Sequence, residues 1–144
     1  METVQEKFKL LLKERIAPRL RENGLKGSGQ NFYIPSEGYW ALMGFQKSMF
    51  SDSIDLRFTI NLYIVTKDEW EIARSTKSYY PKKPTPTTKW SEGWHKRIGQ
   101  LMPEKTDHWW RLTSSTDLRS LSKEVITAIE IYGLPEMQER INQA

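Results

Sequence analysis

The sequence predicts a single α+β domain, residues 1–144, in which an antiparallel sheet of about four strands carries helices packed mainly on one face. Its length of 144 residues falls within the usual range for one domain. Apolar residues recur at helical spacing near both ends of the chain, and they alternate in the middle. The predicted order is helix, three strands, loop, helix, strand and helix, which favours an antiparallel sheet covered by helices.

The first helix is predicted from an apolar stripe and from its end signals. The stripe consists of Val4, Phe8, Leu11, Leu12, Ile16 and Leu20. Thr3 followed by Glu6 forms a capping-box pattern at the start, and Gly24 suits the left-handed position that ends a helix. Pro18 cannot donate an intrahelical hydrogen bond, so we expect a kink there, or two short helices that meet near Ala17.

Three segments of strand-like pattern follow the first helix. They span residues 31–35, 39–47 and 54–65. The apolar face of the third strand consists of Ile54, Leu56, Phe58, Ile60, Leu62 and Ile64. Its other face consists of Asp55, Arg57, Thr59, Asn61 and Tyr63. We expect the two longest helices to cover the apolar face, which would leave the polar face available for recognition.

The second strand, YWALMGFQK, is apolar on both faces until it reaches Gln46 and Lys47. This pattern suits a central strand that is covered on both sides for most of its length. The polar pair then marks the point where the strand leaves the core, with the Lys47 methylenes on apolar neighbours and its ammonium in water. A ligand-binding role for the pair is the alternative interpretation.

Residues 75–90 are predicted to form a long surface loop. Pro81, Pro84 and Pro86 prevent a regular helix and favour an extended path. Loops of this length are uncommon in compact domains unless they have a function or are disordered. The segment is therefore a candidate contact region.

The remaining elements are predicted from caps and apolar spacing. A helix begins at Ser91 and ends before Pro103, and its apolar stripe consists of Trp94, Ile98 and Leu101. A short strand lies in DHWWRL, residues 107–112. The long last helix has a stripe of Leu118, Leu121, Val125, Ala128, Ile129 and Tyr132. Gly133 is predicted to end it, and Pro135 to begin a short terminal helix.

Composition excludes several kinds of chemistry. The chain has no cysteine, which rules out disulfides, thiolate nucleophiles and cysteine-ligated metal sites. Its formal charge of +4 is mild for a dedicated nucleic-acid binder. There is no signal-peptide pattern and no apolar run near the roughly 20 residues that span a bilayer, so we expect a soluble cytoplasmic protein without membrane contact. We expect no cofactor and no bound metal.

Candidates for catalysis are few. GLKGSG, residues 24–29, lacks the preceding strand and the following helix of a phosphate-binding loop, so it is interpreted as a turn. His95 and His108 could act with Glu92 or Asp107 as acid–base or metal groups. A structural or surface histidine is the commoner case for each, and it is the favoured interpretation.

Four tryptophans lie among cationic side chains in the second half of the sequence. The aromatic residues are Trp90, Trp94, Trp109 and Trp110, and the cations are Lys96, Arg97 and Arg111. Aromatic rings interleaved with cations suit single-stranded nucleic acid, whose bases stack and whose phosphates pair. Core packing explains the same spacing and is favoured, while an exposed aromatic–arginine cluster would suit a protein partner.

Several motifs occur in order along the chain: NGLKGSGQNFY, FQKS, FTINLYI, WHKRIGQLMP, WWRL and YGLPEM. In this order and spacing, from about Phe8 to Met137, the chain resembles the bacterial domain-of-unknown-function family 4304. The resemblance implies a small soluble α+β domain, and it supplies no established activity, ligand or catalytic residue. Members often carry a cysteine before the histidine of WHKRIG, where this chain has Trp94, so no thiol chemistry is carried over.

Three hypotheses about function follow. The first is a non-enzymatic module that contacts another protein through the polar face of the third strand, the strand end at Gln46 and Lys47, and the proline-rich loop. An immunity or toxin-neutralising role is one form of it, by association with the family. The second is nucleic-acid binding, through Lys47, Arg57, Lys96, Arg97 and Arg111. The third is an enzyme that uses His95 or His108. The candidate binding residues are Gln46, Lys47, Arg57, Asn61, His95, Arg97 and Arg111.

Overall fold

Six strands form one antiparallel sheet in the computed structural model, which describes residues 2–142. Five strands lie in the order β1-β2-β3-β4-β5, and β6 also pairs with β4. The strands are β1 (Lys26–Ser28), β2 (Asn31–Ile34), β3 (Tyr39–Lys47), β4 (Asp55–Thr66), β5 (Trp94–Arg97) and β6 (Trp110–Thr113). The α+β class is confirmed, and the predicted four strands undercount the sheet. Strand β1 lies within GLKGSG, the segment predicted to be a turn, and β5 lies in the segment predicted to be a helix.

Helical segments precede, interrupt and follow the strands. The helices are α1 (Val4–Leu10), α2 (Ala17–Glu22), α3 (Lys67–Thr76), α4 (Leu118–Ala128) and α5 (Leu134–Asn142). A π-helical turn, Leu11–Ile16, joins α1 to α2, and a second, Ile129–Gly133, joins α4 to α5. A 3-10 turn, Ile98–Gln100, follows β5. None of the helices in residues 2–142 is long and apolar enough to cross a membrane.

Strand β4 is the centre of the sheet. One edge pairs with β3 from Tyr39 opposite Thr66 to Lys47 opposite Phe58. The other edge pairs with two short strands placed end to end, β5 beside residues 61–64 and β6 beside residues 55–58. Eight consecutive positions of β4, residues 58–65, are buried. A strand buried on both faces needs cover from both sides, and the rest of the chain supplies it.

The first face of the sheet carries the larger core and is covered by α1, α2, α4 and α5. Phe58 lies at its centre, with its ring 5.0 Å from that of Phe8 and 5.6 Å from that of Trp110. The predicted apolar face of β4 is confirmed for Leu56, Phe58, Ile60, Leu62 and Ile64, which all lie in this core. Ile54 precedes the strand and is 73% exposed, so it is not part of the face.

Each pair of covering helices contains a π-helical turn just before a proline. The N–H of Ala17 bonds to the carbonyl of Leu12, five residues back, and Pro18 stands at the start of α2. The wider turn fits a residue that lacks an N–H and whose ring would crowd a normal turn. The predicted irregularity near Ala17 is therefore a π-helical turn within a continuous helical run, where the prediction was a kink or two separate helices. The predicted Thr3 cap is confirmed, since its hydroxyl accepts a 3.1 Å hydrogen bond from the N–H of Glu6.

The same arrangement at the C-terminal end corrects a prediction. Gly133 does not end the helix, because the N–H of Leu134 bonds to the carbonyl of Ile129 and α5 continues to Asn142. Gly133 is buried, and a Cβ added to it would lie 3.2 Å from Ile98 Cδ1. Its small size thus allows the helix to approach the turn after β5, and helix termination is not its role.

The second face of the sheet is covered by α3 and by residues 77–93, here called the proline segment. Trp70 of α3 is fully buried, its ring stacked on Tyr80 at 4.8 Å and edge-on to Trp90 at 4.9 Å. Tyr80, Pro84 and Pro86 are buried too, so the predicted surface loop at residues 75–90 is anchored at these three positions, while the other residues from 81 to 89 are exposed and residues 75–76 belong to α3. Helix α3 was not predicted because only Trp70 and Ala73 give it an apolar side.

Hydrogen bonds to Glu92 join the two ends of the proline segment to each other and to the sheet. Its carboxylate accepts hydrogen bonds from the Lys77 ammonium and, at 2.7 Å, from the Tyr80 hydroxyl. Its main-chain carbonyl accepts a 2.7 Å hydrogen bond from the buried Tyr63 hydroxyl of β4. The hydrogen bond from the Lys77 ammonium lowers the pKa of Glu92 below its ordinary value, and this effect is larger than the opposite effect of partial burial. The segment is therefore packed onto the sheet as part of the domain.

The helix predicted from Ser91 onward is wrong, because residues 94–97 form strand β5. Trp94 packs against the first core while His95 lies on the second face, which is the alternation of a strand. The backbone groups of β5 pair with the edge of β4 that β6 leaves unoccupied. Gly93 permits the entry to β5, since its φ is +82° and a Cβ would lie 2.6 Å from the Ile64 carbonyl oxygen.

Replacement of Gly44 by alanine tests whether the proline segment is packed on the sheet. A Cβ at Gly44 would lie 2.5 Å from Cγ of Pro86, whose ring cannot rotate away. We expect Gly44→Ala to lower the free energy of unfolding by about 1–3 kcal/mol, as overpacking does elsewhere. The measurement is chemical denaturation.

Gly38→Ala is the matched control, since nothing lies within 4 Å of a Cβ there. We expect it to change stability by no more than about 0.5 kcal/mol. In addition, Pro86→Ala should recover part of the loss in the Gly44→Ala background. Equal stability of the two alanine variants would contradict the packing described.

Candidate functional site

A polar depression lies on the second sheet face, beside the area that the proline segment covers. It has a volume of about 340 Å³. Its lining residues, here called the cationic depression, are Lys89, His95, Arg97, Gln100, Lys105 and Asp107. Strand β5 supplies His95 and Arg97 to one face by alternation, and the proline segment and the loop after the 3-10 turn supply the two lysines.

A chain of side-chain hydrogen bonds fixes His95 at the base of this depression. Its Nε2 lies 3.1 Å from Oδ1 of Asn61, and Nδ2 of Asn61 donates to Oε1 of Gln46 at 2.7 Å. Because the Asn61 oxygen can only accept, this arrangement assigns the imidazole proton to Nε2. The Nδ1 atom of His95 is then an acceptor.

The Arg97 guanidinium is held by two neighbours from the following loop. Its NH1 donates to Oδ2 of Asp107 at 2.9 Å, and its carbon lies 5.1 Å from the centre of the Trp109 ring. Trp109 also donates to the same Asp107 oxygen, at 2.9 Å. The Nε atom of Arg97 is buried and has no hydrogen-bond partner in the part of the chain that the structure describes. The guanidinium is therefore oriented before any ligand arrives.

Positive charge dominates the depression. Lys89 and Lys105 are exposed, and neither ammonium has an ion-pair or hydrogen-bond partner among residues 2–142. Burial, followed by the charges of Lys89 and Arg97, lowers the pKa of His95 below its ordinary value. The imidazole is accordingly neutral at pH 7, and the cations are Lys89, Arg97 and Lys105 against the single carboxylate of Asp107.

The structure brings four of the seven predicted site residues together and separates the other three. Gln46, Asn61 and His95 are joined by hydrogen bonds, and Arg97 lines the same depression as His95. Lys47 points to the first face, where its ammonium donates to Gln5 at 3.2 Å. The two remaining arginines lie opposite each other near the N-terminal end of β4. Arg57 is on β4 and is exposed, and Arg111 is on β6 and forms an ion pair with Asp55 at 3.0 Å.

The expectation of a solvent-facing polar face on β4 is wrong along most of its length. Thr59, Asn61 and Tyr63 are all buried, with exposed fractions of at most 1%. The Thr59 hydroxyl donates to the carbonyl of His108 at 2.7 Å, and α3 and the proline segment cover Tyr63. These polar groups are satisfied inside the protein, so the polar face of β4 reaches solvent only at its N-terminal end, at Asp55 and Arg57.

The surface expected for nucleic acid is divided. Lys96 lies on the first face and Arg97 on the second, because they are neighbours in strand β5. Trp94 packs beside the first core, Trp90 beside Trp70, and Trp110 within the core. Trp109 alone of the four tryptophans lies beside a cation of the depression. Core packing, the favoured interpretation, therefore holds for the other three.

The two histidines do not share a site. His108 lines a separate depression with side chains of α4, and its ring lies 4.7 Å from that of Trp110 in the first core. His95 lies on the opposite face with Asn61. In residues 2–142 no group of three or more histidine and carboxylate side chains is arranged to hold a metal ion.

Three lining residues of the depression are not among the residues predicted for a site. Lys89, Gln100 and Lys105 are exposed polar residues with no pattern of their own. Lys105 has a φ of +55°, so the loop turns sharply there, a conformation that lysine rarely adopts. Only the path of the two loops brings these residues beside Arg97, and no local signal in the sequence reports it.

Substitution of Lys89 tests the electrostatics of the depression. We expect Lys89→Glu to raise the pKa of His95, because a positive charge that disfavours the imidazolium is replaced by a negative one. The pKa is measured by NMR titration of the imidazole resonances. Lys82→Glu, an equal charge change elsewhere in the proline segment, should leave it in place. An unchanged His95 pKa in Lys89→Glu would show that Lys89 does not face the imidazole.

Comparison with known proteins identifies the family but adds no activity. No curated protein and no solved structure matches the chain. The family described as Domain of unknown function (DUF4304) matches residues 16–139, which include α2, the whole sheet, α3, α4 and most of α5. The chain therefore belongs to the DUF4304 family.

Proposed function

We propose that this domain is a non-enzymatic binding module that recognises an acidic segment of a protein partner through the cationic depression. The observation that carries the proposal is the charge balance of that site. Three cationic side chains surround one carboxylate, and that carboxylate is already bonded to Arg97 and Trp109. Carboxylates of a partner would supply the missing negative charge.

The cations are suited to different parts of this task. Arg97 is held in position by Asp107 and Trp109, so its remaining N–H groups are oriented in advance toward an incoming acceptor. Lys89 and Lys105 are exposed and unpaired within residues 2–142, so they can follow a flexible acidic chain. A rigid arginine with mobile lysines around it favours recognition of several carboxylates over a single small anion.

The neutral groups favour binding over catalysis. His95 is bonded through Nε2 to an amide, whereas a catalytic imidazole is usually oriented by a carboxylate. The carboxylate in the depression, Asp107, is occupied by its own ion pair. His95 and Asn61 thus support the base of the site, and Nδ1 of His95 offers one acceptor to a partner N–H.

Peptide binding tests the proposal. The probes are a labelled ten-residue peptide of alternating glutamate and serine, its glutamine counterpart and a labelled single-stranded oligonucleotide, each followed by fluorescence anisotropy. We expect the acidic peptide alone to bind, and Lys89→Glu with Lys105→Glu to weaken it at least about tenfold, or ~1.4 kcal/mol. The affinity should fall between about 50 and 200 mM salt, since the contact is ionic.

The paired variant Lys82→Glu with Lys123→Glu is the control, because it makes the same change in net charge at exposed positions outside the depression. It should leave peptide binding within about twofold of the unaltered protein. Any loss that it does show measures the effect of net charge alone. The proposal fails if the glutamine peptide binds equally or if both paired variants weaken binding alike. Tighter binding of the oligonucleotide, with a steep salt dependence, would favour nucleic acid instead.

A further inference from the structure

A second and larger concavity lies on the first side of the sheet, away from the cationic depression. It has a volume of about 610 Å³, within the range of small-molecule sites. The first helical pair forms one wall, and the turn between β1 and β2 with the end of β3 forms the other. This concavity, here called the amphipathic groove, is defined by Phe8, Leu12 and Ala17 at its base and Lys9, Lys13, Arg21 and Lys47 at its rim.

The base of the groove is apolar. Phe8, Leu12 and Ala17 are buried residues of α1, the π-helical turn and α2, and they belong to the first core. The aliphatic stems of the rim lysines extend this apolar surface toward the opening, while their ammonium groups stay in water. The π-helical turn contributes both Leu12 and Lys13, so the widening before Pro18 helps to shape the groove.

The rim of the groove has one sign of charge. Four cationic side chains line it, and no aspartate or glutamate does. Lys47 donates to Gln5 and Arg21 to the carbonyl of Gly27, so both are held by neutral acceptors. The ammonium groups of Lys9 and Lys13 have no partner within residues 2–142. The groove therefore offers an anion four positive groups that the protein itself leaves without a negative one.

We propose that the amphipathic groove binds a free single-chain amphiphile with an aliphatic tail and a carboxylate head. The apolar base would contact the tail, and the cationic rim would pair with the head. Each part disfavours ligands that have only one of these two features. A purely ionic ligand would leave the base unused, and a neutral or cationic apolar ligand would leave the rim unpaired.

Titration calorimetry with laurate, below its critical micelle concentration, tests this directly. Dodecyltrimethylammonium has the same tail with the opposite charge, and acetate has the head without the tail. We expect laurate to bind one molecule per protein, and the two comparison compounds to bind at least tenfold more weakly. Lys9→Glu with Lys13→Glu should weaken laurate at least tenfold, because both side chains are exposed and lie on the rim.

Two control variants separate this site from the rest of the protein. Lys82→Glu with Lys123→Glu matches the charge change, and Lys89→Glu with Lys105→Glu disables the cationic depression, and both should keep laurate affinity within threefold. Circular dichroism confirms that each variant is folded. The proposal is overturned if laurate binding is not saturable at one molecule, if dodecyltrimethylammonium binds as well, or if the Lys9 and Lys13 changes have no greater effect than the controls.

Discussion

Strand β4 is paired along both edges and covered on both faces, and this double enclosure determines the rest of the structure. Its eight successive buried positions lie on both faces of the strand, and one layer of helices can cover only one face. The two helical pairs cover the first face, and Trp70 with the buried residues of the proline segment covers the second. Thr59 and Asn61 would be costly to bury alone, and each has a hydrogen-bond partner inside the protein.

The two concavities follow from where this cover ends. On the second face, the proline segment does not cover β5 completely. His95 and Arg97 are therefore partly exposed to solvent there, beside Lys89. On the first face, a gap opens between the first helical pair, the turn between β1 and β2 and the end of β3 at Lys47. Gln46 and Lys47 are neighbours on β3, and side chains alternate along a strand. Gln46 therefore points to the face of the cationic depression, and Lys47 to the amphipathic groove. Two separate concavities thus arise where the cover on each face of the sheet ends.

The sequence predicts the parts of this fold that depend on local pattern. The apolar alternation of β4, the Thr3 cap and the change of helix type before Pro18 are properties of neighbouring residues, and each is found in the structure. Strand β5 is different, because Trp94 and Ile98 have helical spacing and only the vacant edge of β4 makes a strand favourable. The candidate site is similar: Asn61, His95 and Arg97 can be named from their chemistry, but their meeting with Lys105 depends on loop paths that no short segment specifies.

Thiol labelling of single cysteines tests the double enclosure most directly, since the chain contains no cysteine of its own. Thr59→Cys and Ile60→Cys place thiols on opposite faces of β4, and exposed Arg57→Cys is the reference for free access. With native circular dichroism established for each variant, the account predicts that both buried thiols react only as fast as the protein opens. It is contradicted if the thiol at position 59 reacts as rapidly as the one at 57 while position 60 stays protected, because β4 would then have one open face.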